Sequence, residues 1–300
     1  MKNNKAIYLV LLLIFGIHVA NSQDLIDLLD KEFPDEPQYT QATFKANRIT
    51  FGQSIETRKA RVLEFNVNTK FWNTPNSQSQ SFAADRVTAR FGLEYAFTDR
   101  FTAGIGGATF DGTFNAFGKY RLLRQRQDND KTPFGITFVQ SVSYLTRSFN
   151  HVILPEDSSE RFSYTSQFLF ARKFTPNFSL QLAPTYVYRA SQQFPEDDNN
   201  HFAMGFGARY KLGGHVSIAS EYYYVANPVE GIHGFGPFAL GVNWEVSDLI
   251  LQFSLTNTRS FDEATVITLT PNNFNFNDGN LHIGVSATYV FHFNKKQKKK

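Results

Sequence analysis

From about residue 60 to the end of the chain, apolar residues alternate with small or polar ones. The last segment shows this most clearly, because every second residue of LHIGVSATYVFHF (residues 281–293) is apolar or aromatic. Successive side chains of a β-strand point to opposite faces, so a period of two predicts strands with one apolar face each. The pattern therefore predicts an all-β fold.

The alternation recurs in about twelve segments, each close to the length that a tilted strand needs to cross a bilayer. Besides residues 281–293, the clearest segments are 63–71, 87–97, 178–189, 201–212 and 249–256. Weaker segments are 101–110, 114–124, 133–145, 161–174, 216–225 and 236–245.

The connections alternate between short and long. Short turns stand at residues 98–100, 175–177, 213–215 and 246–248. Longer polar stretches lie at 73–85, 146–160, 190–200, 226–235 and 259–279, with a short exception at 111–113 and a longer turn QRQDNDKT. Such asymmetry is typical of an outer-membrane β-barrel. We predict a transmembrane antiparallel up-and-down β-barrel of about 12 strands, with short periplasmic turns and longer extracellular loops.

A soluble sandwich or lipocalin-like barrel would also alternate, because alternation alone does not tell inside from outside. Three observations favour lipid on the apolar face: an export signal, the loop asymmetry and aromatic residues beside the short turns. Those aromatic residues are Phe97, Phe101, Phe174, Phe178 and Trp244.

The chain ends suggest processing and export. Residues 1–22 combine two lysines, a short apolar run and Ala20-Asn21-Ser22, which predicts a cleaved signal peptide. We then expect a periplasmic leader over residues 23–60, the barrel over 61–293 and a basic periplasmic tail over 294–300. The leader has a short helical pattern at residues 24–33 and is either a plug in the lumen or a docking segment.

Composition argues against several other classes. The chain has no cysteine, which excludes a lipid anchor at the processing site, a disulfide scaffold and a thiolate metal site. Seven of its 30 Lys and Arg residues lie in the signal and the tail, which leaves 23 basic against 27 acidic residues. The body is therefore mildly acidic, and we expect no nucleic-acid partner.

Catalytic and metal-binding motifs are lacking in the sequence. The histidines are scattered without metal-ligand spacing, so we expect no metal, no cofactor and no enzymatic activity. A remote alternative is a lipid-modifying enzyme that uses His151 or His201 with Ser158 or Ser159 near the outer rim.

The non-lipid face carries charges that we expect to line the lumen, and eight of these twelve are basic. They are Glu64, Lys70, Arg90, Glu94, Lys119, Arg121, Lys173, Arg189, Arg209, Lys211, Glu221 and Glu245. Such charges commonly pair across strands and fill the interior. The cationic excess instead favours a narrow channel or transporter for small polar or anionic solutes. A non-conducting binding or scaffold barrel is the alternative, in which residues 146–160 and 259–278 contact surface partners and residues 23–60 contact a periplasmic one.

Residues 43–72, TFKANRITFGQSIETRKARVLEFNVNTKFW, resemble a known segment. It leads into the first strand of a Bacteroidota outer-membrane β-barrel family of unknown function (domain of unknown function 5777), with the pattern TFK…RI..G.SVET…G.L.F.I..RF. LEYAFTDRFTAGIG resembles the family's second and third strands, and KYRLLRQ its fourth, KYKLLRQ. Arg61 stands where the family pattern has glycine. The resemblance implies an outer-membrane barrel and supplies no substrate.

The final strand is expected to close the barrel against the first one. Its aromatic residues Tyr289, Phe291 and Phe293 resemble the signal that the barrel-assembly machinery recognises. We therefore expect the outer membrane of a Gram-negative bacterium as the location, with outer-membrane lipid and that machinery as partners.

Overall fold

A computed structural model gives the fold and describes residues 37–73, 85–128, 132–149, 152–192, 197–229, 234–274 and 281–293. The chain divides into two compact units, Met1–Tyr39 and Thr40–Lys300. Of the first unit, only residues 37–39 are described. The predicted signal peptide, the helical pattern at 24–33 and the tail at 294–300 lie outside the described residues.

The second unit is a closed barrel of twelve antiparallel strands, in which each strand pairs with its neighbours in sequence and the last pairs with the first. The predicted antiparallel up-and-down barrel is confirmed. Its strands are β1 (Val62–Trp72), β2 (Arg86–Ala96), β3 (Phe101–Ala108), β4 (Thr113–Leu123), β5 (Gly135–Leu145), β6 (Phe162–Lys173), β7 (Phe178–Arg189), β8 (Asn200–Lys211), β9 (Val216–Val225), β10 (Phe238–Val246), β11 (Leu249–Thr256) and β12 (His282–His292).

Helical structure is sparse in the described residues. It consists of a 3₁₀ turn (Ser158–Arg161) and a six-residue helix, α1 (Glu263–Thr268). Neither has the length and apolar character that a membrane-crossing helix needs.

The two ends of the barrel differ in their connections. What we call the turn end carries residues 97–100, 124–134, 174–177, 212–215 and 247–248. The loop end is where β1 connects to β2, β3 to β4, β5 to β6, β7 to β8, β9 to β10 and β11 to β12. Strand β1 begins and β12 ends at the turn end.

The apolar face of the strands points outward. Alternation in the sequence alone does not determine this orientation. Phe114 is 61 % exposed and Ile105 60 %, whereas Glu64 and Lys119, on the opposite face, are buried. A soluble barrel would place these faces the other way round. Phe97, Phe174 and Trp244 are exposed at the turn end, where an interfacial aromatic belt belongs.

The chain enters the barrel through a residue in an unusual conformation. Arg61 has a φ of 66°, in the left-handed region that favours glycine. Its N–H donates to the carbonyl of Ala96 at 2.7 Å, and its own carbonyl accepts from the N–H of Phe293 at 3.1 Å. The backbone at this junction of three strands thus accounts for the glycine of the family pattern.

Glycines on the inward face of β3 make room for larger neighbours. A Cβ at Gly104 would lie 2.5 Å from the ring of Phe117, and one at Gly106 would lie 2.4 Å from the guanidinium of Arg90. This is close packing inside the barrel.

Candidate functional site in the barrel lumen

Residues 40–60, which we call the plug, fold into the lumen as an irregular hairpin. Thr40 N–H donates to the carbonyl of Gln125 at the turn end, over 2.9 Å. The hairpin turns at residues 49–52, where Ile49 N–H donates to Gly52 at 3.0 Å. It returns to the turn end, where the Thr57 hydroxyl donates to the carbonyl of Asp99 at 2.9 Å. Both ends of the plug therefore lie at the turn end and its tip lies inside.

The tip is held by one carboxylate. The Oε2 atom of Glu221 on β9 accepts from the Thr50 hydroxyl at 2.7 Å and from the backbone N–H groups of Gly52, Phe51 and Thr50 at 3.1, 3.2 and 3.3 Å. Successive N–H groups of a turn form a natural anion-binding concavity, and here the anion is a wall side chain. A Cβ on Gly52 would lie 2.1 Å from Glu221 Oε1, so the carboxylate can approach only because residue 52 is glycine.

Glycines on the strands beside Glu221 also face the tip, since Gly207 pairs with Glu221 itself and Gly241 pairs with Ala219. A Cβ on Gly207 would lie 2.4 Å from Ile49 Cδ1, and one on Gly241 would lie 3.1 Å from Thr50 Cγ2. The wall is therefore shaped to receive the turn of the plug.

Basic residues of the wall bind the backbone of the plug. Lys119 on β4, fully buried, donates to the carbonyl oxygens of Asn47, Ser54 and Glu56 at 2.8, 3.0 and 3.2 Å. Arg121 donates to the Glu56 carboxylate at 2.8 Å. An ammonium group offers three donors, and the plug satisfies all three of those on Lys119.

The same arrangement recurs on β6 and β8 nearer the turn end. Arg209 donates to the carbonyl oxygens of Ala42 and Thr43 at 2.9 and 3.3 Å. Lys173 donates to the carbonyl of Gln41 at 2.9 Å. Basic side chains of three strands thus grip the plug mainly through its peptide oxygens.

Acidic residues of the wall bind side chains of the plug. Glu64 and Glu94 stand opposite each other on β1 and β2, and both accept from the Asn47 amide, at 2.6 and 2.9 Å. Plug cations complete the contacts through the ion pairs Arg58–Glu64, Arg48–Glu94 and Lys45–Glu245. Two like charges on paired strands repel each other, and the plug supplies the compensating groups.

A second segment fills the lumen from the loop end. Residues 257–272, which we call the loop insert, contain α1, whose six residues are all buried. The Asp262 side chain caps α1 by accepting from Thr265 N–H at 2.9 Å, and it also accepts from the Ser143 hydroxyl of β5. Ala264, Val266 and Ile267 of α1 pack in a buried apolar cluster.

Three further basic residues of the wall lie around the loop insert or beside it. Lys70 donates to the carbonyl of Ser260, and Arg189 donates to the Thr268 hydroxyl at 3.0 Å. Arg90 bonds wall amides instead, with Asn66 Oδ1 at 2.8 Å.

The plug and the loop insert meet in the middle of the barrel. Glu263 Oε1 accepts from Arg48 Nη1 at 2.8 Å and from Gln53 Nε2 at 3.0 Å. Burial alone would raise the pKa of Glu263, but Arg48 and Gln53 hold that pKa below its usual value. Phe51 of the plug joins the apolar cluster of α1, together with wall residues such as Leu169. The contact between Arg48 and Glu263 and the apolar cluster around Phe51 thus close the lumen together.

Only small spaces remain between the plug and the wall. The space beside β10, β11, β12 and β1 measures about 30 Å³ and is lined by amide and hydroxyl side chains, including Asn66, Gln252 and Thr288. A cavity of that size holds one or two water molecules. In this state the described lumen is closed to solutes.

The structure places the twelve charged residues predicted for the lumen on the inward face. Nine are buried, and Lys173, Lys211 and Glu245 are half-buried near the turn end. Among the described residues, none of the ion pairs joins two of these twelve. Most of them contact the plug or the loop insert, whereas Arg90 bonds the wall amides of Asn66 and Asn115. Ion pairing across strands is not the arrangement found.

Other sequence expectations meet a different outcome. The inward face also carries apolar residues that the sequence analysis did not single out, because Val139, Leu169 and Val187 belong to the apolar cluster. Residues 259–272 belong to the segment 259–278, for which contact with a surface partner is the alternative prediction, and they are largely buried. Apolar residues of α1 cause this, because the barrel interior offers them the apolar partners that water does not.

The residues of the remote enzyme alternative are not arranged as a site. His201 is buried, and its Nδ1 lies 2.8 Å from the carbonyl of Asn227. Ser158 and Ser159 lie in the exposed 3₁₀ turn, and His151 lies outside the described residues. The described residues contain no group of three or more His, Cys, Asp or Glu able to hold a metal ion.

Comparison with known proteins agrees with the fold. A family model described as a membrane bound beta barrel domain (DUF5777) matches residues 44–291, which includes most of the plug. No curated protein sequence matches the chain.

Three solved structures illustrate what the chain resembles in fold. KdgM porin has a TM-score of 0.48 at 9% identity, over 76% of this chain and 99% of its own. The COG4313 outer membrane channel from Pseudomonas putida F1 has a TM-score of 0.45 at 14% identity, over 79% and 98%. Outer membrane phospholipase A from Escherichia coli has a TM-score of 0.42 at 11% identity, over 81% and 95%. The contacts of the lumen are therefore the basis for a functional proposal.

Proposed function

Because the chain belongs to the membrane bound beta barrel domain family (DUF5777), we propose that it is an outer-membrane channel or transporter for small polar or anionic solutes. The plug closes the channel in the state described, and transport requires the plug to move. Export by the predicted signal peptide and assembly by the barrel-assembly machinery would bring it to the outer membrane of a Gram-negative bacterium.

One observation carries this proposal: the basic wall residues bind peptide carbonyl oxygens of the plug. Lys119, Arg209 and Lys173 together donate to six of them. A carbonyl oxygen is an uncharged acceptor, which water, a hydroxyl or a carboxylate replaces without loss of hydrogen bonds. Once the plug leaves, the wall carries eight basic against four acidic side chains, of which Lys70 and Arg189 remain bound to the loop insert. That excess favours anionic or hydroxyl-rich solutes.

A non-conducting binding or scaffold barrel is the second candidate. The observation that favours it is the filling of the lumen from both ends, with α1 buried between the plug and the wall. In that case, a periplasmic partner would bind the part of residues 23–60 that lies outside the lumen, and the plug would have no need to leave. We propose no catalytic role, and an absence of phospholipase activity in purified protein would agree with that.

Planar-bilayer recording distinguishes the two candidates. The informative variant lacks residues 44–55, because Thr43 N–H bonds the Glu56 carboxylate at 2.7 Å and the cut ends therefore lie together. We expect small or rare openings from the wild-type protein and a larger conductance with anion preference from the deletion. Heat-modified migration on gels verifies that each variant is folded.

A matched control addresses the charge argument. In the deletion background, Lys119→Gln with Arg209→Gln should reduce the anion preference, because both positive charges then leave the lumen wall. A folded deletion that never conducts would support the scaffold instead. A folded deletion that prefers cations would contradict the proposed solute class.

A further inference from the structure

The outer face of the barrel has a groove at the turn end, where a row of side chains that includes the small residues Ala208 and Ser220 lies between two rows of large ones. Cross-strand pairing aligns Arg172, Leu180, Ala208 and Ser220 in a single row over β6 to β9. The next row toward the loop end is Phe170, Leu182, Phe206 and Tyr222. Phe174, Phe178, Tyr210 and Ile218 lie on the other side of the first row.

This surface groove has a volume of about 580 Å³. Its lining consists mainly of the row from Arg172 to Ser220 and the row from Phe170 to Tyr222, and it includes Phe134 and Phe174 but not Phe178, Tyr210 or Ile218. Residues two apart on a strand are spaced about 7 Å, so the two flanking rows stand about 13 Å apart. Ala208 and Ser220 form a low floor between them. An extended alkyl chain fits such a trough, and the surrounding side chains are apolar.

A charge marks one end of the groove. Arg172 is the one formally charged side chain on the outward face of the described strands, and it is exposed. Its guanidinium lies 5.1 Å from the centre of the Phe174 ring, and the described residues supply it with no hydrogen-bond acceptor. An arginine facing lipid without a protein partner has its donors available for an external anion.

We propose that this groove is a binding site for one phospholipid, with the phosphate on Arg172 and an acyl chain along the row to Ser220. Guanidinium groups bind phosphate through two parallel hydrogen bonds, and the aromatic ring of Phe174 holds the guanidinium at the level of the interfacial belt. The site is independent of the proposed channel, because it lies on the opposite face of the wall from the plug.

A second outer groove provides an internal contrast. It measures about 540 Å³ and is lined by Phe65, Phe91, Ile105 and Phe114 among others, with Gly106 and Gly107 in its floor. Its lining contains no charged residue. By the same reasoning, it should accept alkyl chains without selecting a headgroup.

Native mass spectrometry of the full-length protein, titrated with phosphatidylglycerol in detergent, tests the proposal. We expect one retained lipid on the wild-type protein. Arg172→Gln should weaken retention about tenfold, which is the usual effect of losing a charge-assisted hydrogen bond. Ala208→Leu should weaken it with the charge intact, because the added side chain fills the floor.

Two controls keep the outcome unambiguous. Arg100→Gln removes an exposed charge from another turn at the same end, and Ala116→Leu fills the second groove; neither should change retention. Equal retention in Arg172→Gln and the wild-type protein would overturn the proposal. So would equal loss in Arg172→Gln and Arg100→Gln, or a dimer of this chain that Ala208→Leu breaks in place of a lipid adduct.

Discussion

The plug and the loop insert occupy the same lumen but are held by different forces. Polar groups of the wall grip the plug at many points, from Lys173 near the turn end to Glu221 at its tip. The loop insert is capped by Asp262 and packs the apolar side of α1 against the wall. Water and polar solutes can replace the first kind of contact but not the second. From this difference we propose that the plug is the part that moves and the loop insert is the part that stays.

The contact at Glu221 should contribute most to this difference. Glu221→Gln replaces an oxygen that accepts four hydrogen bonds with a neutral amide, which should cost plug closure about 3 kcal/mol. Hydrogen exchange of residues 44–57 should then rise about a hundredfold, while α1 stays protected. Glu245→Gln is the matched control, since Glu245 is half-buried and pairs with Lys45 at the rim. Its effect should remain below about 1 kcal/mol. Equal exchange in the two variants would remove Glu221 as the main anchor.

Sequence reasoning predicted the strands because a period of two repeats in each of them, and the observed bounds differ by only a few residues. It did not predict the path of the plug, because the decisive contacts join residues such as Thr50 and Glu221, 171 positions apart in the chain. The one local indication in the sequence was Gly52 in TFGQSIET (residues 50–57), a glycine that lies outside the predicted strands. Helix α1 was missed because EATVIT is rich in β-branched residues, and only the cap and burial make it helical.

Gly52→Ala tests how closely the plug tip fits the wall, because it adds one methyl group and changes no charge. The new Cβ would lie 2.1 Å from Glu221 Oε1 and 2.7 Å from the Tyr223 hydroxyl, so the turn must shift at a cost of about 1–3 kcal/mol. Protease cleavage within the plug of folded protein should accelerate. At Gly213, a Cβ would meet nothing within 4 Å, and Gly213→Ala should therefore leave cleavage unchanged. A Gly52→Ala protein as resistant as the wild type would mean that the wall adapts to the tip.

The contact between Arg48 and Glu263 measures how far the two inserts depend on each other. A double-mutant cycle with Arg48→Gln and Glu263→Gln should give a coupling energy of about 1–3 kcal/mol for protection of the plug. The measurement is hydrogen exchange on all four proteins. A coupling energy near zero would mean that the plug leaves without disturbing the loop insert. The plug would then be the single moving part.

The smallest effect is expected where neither insert is involved. Arg61→Gly relieves a left-handed backbone at φ 66° and should stabilise the barrel by about 0.5–1 kcal/mol. Urea unfolding in detergent reports this change, and exchange of the plug should be unaltered. A loss of stability would show that the Arg61 side chain contributes more than its backbone costs.

The gating role of the plug is tested most directly by locking the plug with a disulfide and recording the conductance. The chain has no cysteine, and a Cβ at Gly241 would lie 3.1 Å from Thr50 Cγ2, which suits a disulfide between the two positions. Thr50→Cys and Gly241→Cys are placed in the Glu221→Gln background, and single channels are recorded in oxidised and then reduced protein. We expect the oxidised protein to stay closed and the reduced protein to show anion-preferring openings. Equal conductance in both states would contradict the claim that the plug is the gate.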